Sequence, residues 1–104
     1  MKPDRVIAML SMAEKAGKIA SGSFMAEKSI KSRRAFLVVL ATDASENTKK
    51  SFFNACAYRN IPCFEYADSQ ALGNGIGKGY RKVLAVCDEG LAKSIIGRIK
   101  EVVG

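Results

Sequence analysis

Apolar positions along the chain follow two different spacings, and each spacing predicts one type of element. Over residues 4–16 they recur at helical spacing, and Gly17 follows as a C-terminal cap. Residues 36–41 form instead a continuous apolar run rich in β-branched side chains, which favours a strand covered on both faces. The pattern therefore predicts helices packed on a short, buried sheet.

The same spacings predict short strands alternating with helices along the rest of the chain. In order, the predicted elements are a helix at 4–16, a strand at 18–21, a helix at about 23–32, a strand at 36–41, a helix that follows the turn at 42–47 and ends near 58, a strand at 63–66, a short helix capped by Asp68 and ending at Gly73, a strand at 82–87, and a helix from the cap Asp88 to about 102. This order predicts one α/β domain over residues 1–104, a three-layer α/β/α sandwich around a small mixed four-stranded sheet.

The second predicted helix begins with Phe24 and Met25, two large apolar residues. Its inward face is formed by Ala26 and Ile30, with Ser29 beside them. Phe24 and Met25 cannot both turn inward together with Ile30. Either one of them packs as a staple against the neighbouring helix, or they stack on an unpaired base or contact a protein partner. The sequence leaves these interpretations open.

The start of this helix also combines a glycine with a cluster of bases. Gly22 precedes it, and Ser21 or Ser23 is available as its N-cap. Free N–H groups at a helix N-terminus are suited to bind phosphates. Between residues 15 and 34 there is one acid, Glu27. The bases of this stretch are Lys15, Lys18, Lys28, Lys31, Arg33 and Arg34.

The charge of the chain favours a polyanionic partner. Seventeen Lys and Arg residues against ten Asp and Glu residues give a net charge of +7. The excess is +5 over residues 1–34, −1 over 35–72 and +3 over 73–104. A basic end that is not neutralised locally raises the local concentration of RNA, although an anionic membrane or a solvated surface could also account for it.

The cysteines do not predict a disulfide framework or a metal site. Cys56, Cys63 and Cys87 are odd in number and form no C-x-x-C pair, and the chain has no histidine. Apolar neighbours predict that all three are buried free thiols in a reducing cytosol. We therefore expect neither a metal nor a cofactor.

No residue pattern typical of an enzyme is present. Histidine is missing as a general base, and the G-x-S-x-G pattern of a nucleophile elbow does not occur. Asp43 and Glu46 lie close together, but on the turn before a helix they are interpreted as capping residues and as acids favoured by the helix dipole. We expect a protein that is not an enzyme.

The glycine-rich stretch at 73–79 matches neither of the phosphate-binding motifs that it suggests. A P-loop has four residues between its first two glycines and ends in Lys followed by Ser or Thr; here the spacing is one residue short and Gly79 replaces the hydroxyl. A dinucleotide fingerprint opens a helix, whereas this stretch opens a strand. We interpret it as a flexible turn, or as a loop whose backbone approaches RNA beside Lys78, Arg81 and Lys82.

Membrane association is not expected. No apolar run approaches the roughly 18 residues of a membrane span. Residues 1–5 place an acid and a base directly before the first helix, so we do not expect a cleaved signal peptide. The expectation is a soluble, cytoplasmic protein without a small-molecule substrate.

Several short segments, in this order and spacing, resemble a known family. They are Ala16-Gly17-Lys18, Ser21-Gly22, Lys28-Ser29-Ile30, the run at 37–45, Asn60-Ile61-Pro62, Leu72-Gly73 and Gly77-Lys78. Together they resemble the ribosomal-protein family that binds kink-turns in RNA, typified by archaeal ribosomal protein L-seven-Ae and eukaryotic L-thirty-e, and within it the small bacterial YlxQ-type proteins. The resemblance covers nearly the whole chain. It implies a monomer that binds structured RNA and is associated with the ribosome or the translation machinery.

Members of that family read tandem sheared G·A pairs with a Gly-Thr-Asn-Glu-x-x-Lys signature at the start of this helix. By position Gly22 and Lys28 match, and Ser23 stands in for the threonine. Phe24 takes the place of the asparagine and Met25 that of the glutamate, and neither can make polar contacts to a guanine edge. The resemblance thus implies that phosphate binding persists while base reading is altered.

The family's second RNA contact maps to the loop at 77–82. In other members this loop is apolar and shields a flipped-out base, whereas here it is glycine-rich and basic. The residues expected to bind RNA are Lys18, Gly22, Ser23, Phe24, Met25, Lys28, Lys31, Arg33, Gly77, Lys78 and Arg81.

Two alternatives to an RNA-binding module follow from the same observations. The first is a protein-interaction module on the same fold, which has lost specific kink-turn recognition and uses Phe24 and Met25 as an apolar anchor. The second is an RNA-acting enzyme in which this fold is only an appendage. It would need a separate catalytic domain, which we do not expect in 104 residues.

Overall fold

A computed structural model describes residues 4–103, and its elements follow the predicted order. The helices are α1 (Arg5–Lys15), α2 (Ser23–Lys31), α3 (Glu46–Tyr58), α4 (Ser69–Gly75) and α5 (Glu89–Val103), and the strands are β1 (Ile19–Ser21), β2 (Leu37–Leu40), β3 (Cys63–Glu65) and β4 (Val83–Val86). Within these residues no helix combines the length and the apolar character that crossing a membrane requires. Residues 1–3, which contribute to the expectation that there is no signal peptide, lie outside the described residues.

The four strands form one mixed sheet in the order β1-β4-β2-β3. Strand β4 is antiparallel to both β1 and β2, whereas β2 and β3 are parallel. Every residue of β2 and β4 is buried. A strand that is covered on both faces has no solvated side, which explains why these two sequences are continuous apolar runs.

Helices cover both faces of the sheet, as alternate residues of β2 demonstrate. Leu37 and Val39 belong to a core with buried residues of α1, α4 and α5. Val38 and Leu40 belong to a second core with buried residues of α2 and α3. Successive residues of a strand point to opposite faces, so the sheet is the middle of three layers. The predicted α/β/α sandwich with a mixed four-stranded sheet is confirmed.

Two predicted boundaries were wrong for reasons of packing. Helix α4 does not end at Gly73 but continues to Gly75. Glycine disfavours a helix, but a Cβ on Gly75 would lie 2.6 Å from Cγ2 of Ile7, and a Cβ on Gly73 would overlap the carbonyl of Gly79. Phe36, predicted to be in a buried strand, lies before β2 with 39% of its surface exposed.

All three cysteines are free thiols, but the prediction that all are buried was wrong. Cys56 is buried, whereas Cys63 and Cys87 are only partly so. Cys56 and Cys63, separated along the sequence, meet in the core between the sheet and α3. A hydrogen bond with the Cys56 thiol, together with burial, raises the pKa of the Cys63 thiol above its ordinary value.

Candidate nucleic-acid interface

The N-terminus of α2 is built around a glycine. Gly22 is the N-cap, with φ 90° and ψ 159°, and no side chain caps the helix. Its N–H donates to the Val83 carbonyl at 2.9 Å, and its carbonyl accepts from the Ala26 N–H at 2.9 Å. The prediction that Ser21 or Ser23 caps the helix was wrong, because Gly22 holds that position in a backbone conformation that only glycine adopts readily.

Among the helices of residues 4–103, α2 alone lacks a side-chain cap. The other caps are Asp4 on α1, Ser45 on α3, Asp68 on α4 and Asp88 on α5, each accepting a backbone N–H at 2.8–3.1 Å. The predicted caps Asp68 and Asp88 are thereby confirmed. Since a helix leaves its first N–H groups without partners inside the helix, the first turn of α2 offers donors to an external acceptor.

The glycine-rich loop at 77–82 lies directly beside this N-terminus. Arg81 places its Nε 3.4 Å from Oγ of Ser21, one residue before the N-cap. Lys78 is exposed, and Gly77 has φ 72°, in the left-handed region. The structure therefore brings the two predicted contact regions together, although some sixty residues separate them in sequence.

Asp43 connects this loop to the rest of the fold. Its carboxylate accepts from the N–H of Ser69 at 2.8 Å and from the Ser69 hydroxyl at 2.7 Å. It also lies 3.6 Å from Nζ of Lys82. The hydrogen bond from the Ser69 side chain lowers the pKa of Asp43 below its usual value. Asp43 was interpreted as a cap of α3; that was wrong, because Ser45 is the cap.

A groove runs along the outer face of α2 from this N-terminus. Phe24, Lys28 and Lys31 lie on one side of the helix and line a space of about 470 Å³. Phe24 is 77% exposed. Nζ of Lys31 pairs with Oε1 of Glu27 at 2.8 Å, whereas Lys28 has no ion pair within the described residues. Lys28 is therefore the cation of this groove that is available to an anion.

Met25 lies on the other flank of α2. It is 45% exposed and lines a space of about 190 Å³ with residues of β1 and with Lys18, Arg34 and Cys87. Because Phe24 is exposed as well, the interpretation that one of the two packs as a staple against a neighbouring helix was wrong. The other two interpretations, stacking on an unpaired base and contact with a protein partner, remain for both residues.

Arg33 is the one predicted RNA-binding residue that lies well away from the others. It follows the C-terminus of α2, about 15 Å along the helix axis from Ser23. There it lines a separate cleft that also includes Phe36 and Lys93. The structure does not bring Arg33 together with the N-terminus of α2.

Tyr80 is a candidate that the sequence analysis missed. It lies in the loop at 77–82 and is 69% exposed. The Arg81 guanidinium donates to the Tyr80 carbonyl at 3.0 Å and so contributes to the loop conformation. The sequence did carry a signal, since Tyr80 is an aromatic residue placed among Lys78, Arg81 and Lys82.

Comparisons with known proteins agree with this architecture. The model of the ribosomal protein L7Ae/L30e/S12e/Gadd45 family matches residues 4–96. The RNA-binding protein YlxQ of Bacillus subtilis (strain 168) is 40% identical over 88 residues, which cover 85% of this chain and 88% of that protein. The RNA-binding protein YlxQ of Enterococcus faecium is 38% identical over 85 residues, which cover 82% of each chain.

Two solved structures are similar as well. A Bacillus halodurans protein of unknown function superimposes with a TM-score of 0.92 at 28% identity, covering 94% of this chain and 99% of the other. The Giardia lamblia 15.5kD RNA binding protein superimposes with a TM-score of 0.80 at 18% identity, covering 99% and 94%. The latter likeness bears on the fold alone.

Proposed function

Because this chain belongs to the ribosomal protein L7Ae/L30e/S12e/Gadd45 family, we propose that it binds structured RNA through the N-terminus of α2 and the loop at 77–82. The observation that carries the proposal is the uncapped start of α2 beside a cationic loop. A phosphate at this position would accept hydrogen bonds from the first turn of the helix and would be favoured by the helix dipole. The YlxQ proteins, which are named as RNA-binding, support the same function.

Cations surround the proposed phosphate position on two sides. Arg81 approaches from the loop, in which Lys78 is also exposed, and Lys28 lies on the second turn of α2. Most hydrogen bonds of a protein to a nucleic acid go to phosphates and sugars, and they set position and affinity rather than sequence preference. Binding should therefore weaken steeply as salt is added.

The aromatic side chains at this end supply the contacts to bases. Phe24 and Tyr80 are 77% and 69% exposed, at the start of α2 and in the adjacent loop. An exposed ring can stack on a base that is unpaired or turned out of a helix, and such stacking contributes about 1–3 kcal/mol per base. We propose that the target is a kink-turn-like RNA with extruded bases.

The mechanism is binding without covalent chemistry. A bent RNA that exposes phosphates and unpaired bases together matches this surface, whereas a regular duplex presents only phosphates. Tighter binding to the bent form shifts the RNA towards it. We place the protein in the cytoplasm as a monomer associated with the ribosome or the translation machinery.

The test compares a standard kink-turn RNA with a plain duplex of equal length at about physiological salt. We expect binding to the kink-turn to be about tenfold tighter or more, and to be lost when its G·A pairs are replaced. Equal, weak binding to both RNAs that disappears with added salt would contradict kink-turn recognition and leave a surface that binds by charge alone.

Two lysine variants test which surface of the protein binds RNA. Lys28→Ala should weaken RNA binding and reduce the salt dependence by about one counterion, because Lys28 faces the groove beside Phe24. Lys93→Ala is the matched control, since Lys93 is an exposed lysine on α5 in a different cleft. Equal losses in the two variants would contradict the assignment of this face.

A protein-interaction module is the second candidate, favoured by the exposure of Phe24 and Met25, two apolar side chains in one helical turn. A pull-down treated with nuclease separates the two candidates. A partner bridged by RNA is lost after the treatment, whereas a partner that contacts Phe24 directly is retained and is lost with Phe24→Ala.

A further inference from the structure

A second cleft lies at the opposite end of α2 from the proposed RNA surface. Its volume is about 350 Å³, within the range of ligand-binding clefts. It lies where the C-terminal ends of α2 and α3 meet the N-terminal part of α5. Its apolar lining includes Ile30, Ala35, Phe36, Ile61, Ala92 and Ile96. A single large apolar side chain would find complementary surface there.

Three cations line the same cleft. Arg33, Arg59 and Lys93 contribute to it, against one acid, Glu89. None of the three cations forms an ion pair with any residue in the described part of the chain. Arg59 instead lies over the ring of Tyr58, with its Cζ 5.3 Å from the ring centroid. The net charge around the apolar lining is therefore positive.

The backbone at Arg33 distinguishes the cleft from an incidental gap. Arg33 has φ 62°, in the position after the C-terminus of α2 where glycine is the usual residue. Asn60 has φ 58° in the corresponding position after α3 and also lines the cleft. Asparagine tolerates this conformation, but arginine pays a steric cost in it. A guanidinium is thus kept on the rim of the cleft at the expense of the fold.

We propose that this cleft binds an acidic peptide segment of a partner protein, with one large apolar side chain of the peptide seated on the lining and carboxylates on the three cations. An apolar centre with a polar rim is the arrangement of a protein-binding surface. A phosphate of RNA would also be attracted to the three cations, but it would leave the apolar lining uncovered, whereas a large apolar side chain of a peptide covers that lining.

This site stands independently of the proposed RNA surface. Arg33 is about 15 Å along the helix axis from Ser23, and no residue lines both this cleft and the groove beside Phe24. A peptide in the cleft would therefore leave the N-terminus of α2 free. The protein would join an RNA at one end of α2 to a partner protein at the other.

In the experiment, random dodecapeptides displayed on phage are selected for binding to the immobilised wild-type protein. The double variant Arg33→Gly/Lys93→Glu serves as the counter-selection target. The expected result is enrichment of sequences in which Asp or Glu flanks one large apolar residue. The most enriched peptide is then synthesised, together with a copy in which Asp and Glu become Asn and Gln. The acidic peptide should bind several-fold more tightly than the neutral copy.

Single variants and NMR then locate the peptide. Lys93→Ala should weaken peptide binding about three- to fivefold and leave RNA binding unchanged, and Lys28→Ala should do the reverse. Amide shifts on adding the peptide should cluster at Phe36, Ile61 and Lys93. Enrichment of neutral or basic peptides, equal enrichment on the double variant, or shifts at the start of α2 would each overturn the proposal. Loss of RNA binding in Lys93→Ala would overturn it as well, because the cleft would then belong to the RNA surface.

Discussion

The two ends of α2 depart from ordinary helix ends in opposite ways. At the N-terminus, where Ser, Asp or Asn is usual, the cap is Gly22 at φ 90° and no side chain caps the helix. At the C-terminus, where glycine is usual, Arg33 follows at φ 62°. The first end presents backbone N–H groups, and the second presents a charged side chain beside an apolar cleft.

The difference shows what each end can recognise. Backbone donors at a helix start suit a phosphate of any nucleotide, so recognition there depends on the shape of the RNA and on the bases that reach Phe24 and Tyr80. A guanidinium beside an apolar lining suits a carboxylate next to a large side chain. At the C-terminal end the chain forgoes the glycine that would best suit the left-handed backbone, as binding surfaces often do.

Among the variants that test this difference between the two ends of α2, Gly22→Ala should change the free energy of unfolding most. The conformation at φ 90° and ψ 159° is essentially restricted to glycine, so the variant should lose about 1–3 kcal/mol of unfolding free energy in denaturant titrations. A Cβ there meets nothing within 4 Å, so the loss would arise from the backbone and not from a clash. The matched control, Gly97→Ala in the middle of α5, should instead gain up to about 1 kcal/mol, because alanine favours a helix. A similar change in both variants would contradict the assigned backbone at Gly22.

The next largest effect is expected from a comparison of α3, which a side chain caps, with α2, which no side chain caps. Ser45→Ala should cost about 1 kcal/mol, because it removes the acceptor of the Thr48 N–H at the start of α3. Ser23→Ala should cost much less, because Ser23 caps nothing. The measurement is the midpoint of urea unfolding for the two variants side by side. A comparable loss in Ser23→Ala would mean that the hydroxyl does cap α2.

A smaller effect of opposite sign is expected at the C-terminal end. Arg33→Gly should raise the unfolding free energy by about 0.5–1 kcal/mol, because glycine relieves the cost of the left-handed backbone. Asn60→Gly is the matched control after α3 and should gain less, since asparagine already tolerates φ 58°. Thermal unfolding of both variants measures the difference. Destabilisation by Arg33→Gly would show that the guanidinium supports the fold itself.

The smallest effect is expected in the pH dependence of stability, through Asp43 near the proposed RNA surface. The hydrogen bond from Ser69 lowers the pKa of Asp43 in the folded protein, so its contribution to stability is present above the unfolded value near 3.8 and is lost as the pH falls through the lower folded value. Asp43→Asn should therefore flatten the stability profile below about pH 4, measured by denaturant unfolding at a series of pH values. Glu101→Gln on α5 is the control. If it flattened the stability profile as much as Asp43→Asn does, the effect could not be assigned to the hydrogen bonds of Asp43.

Much of the fold could be predicted because its determinants are local. The buried strand β2 follows from a continuous apolar run, and the caps Asp68 and Asp88 follow from their positions before helical patterns. The end of α4 could not be predicted, since the reason for glycine at 73 and 75 is the close approach of Gly79 and Ile7, which leaves no room for a Cβ and is not visible in the local sequence.

The candidate site likewise has some features that the sequence predicts and others that it does not. Gly22 and Lys28 could be placed at the start of α2 from their positions in the sequence. The approach of Arg81 to Ser21 joins residues from opposite ends of the chain, and no local pattern indicates it. The position of Arg33 was predictable in principle, because it lies ten residues after Ser23, about 15 Å away along the helix axis. The cleft beneath it was not, since three separate helices form it.

The place of β4 in the sheet has a consequence for how the protein is made. β4 is the last strand in sequence, yet it lies between β1 and β2 and pairs with both. While the chain is being translated, β1 has no strand beside it, and the Gly22 N–H lacks the Val83 carbonyl to which it donates. Non-local pairs cannot form before both partners exist. A nascent chain therefore acquires its proposed RNA-binding end only after Val86 has been added, and shorter translation products would be unable to occupy the RNA.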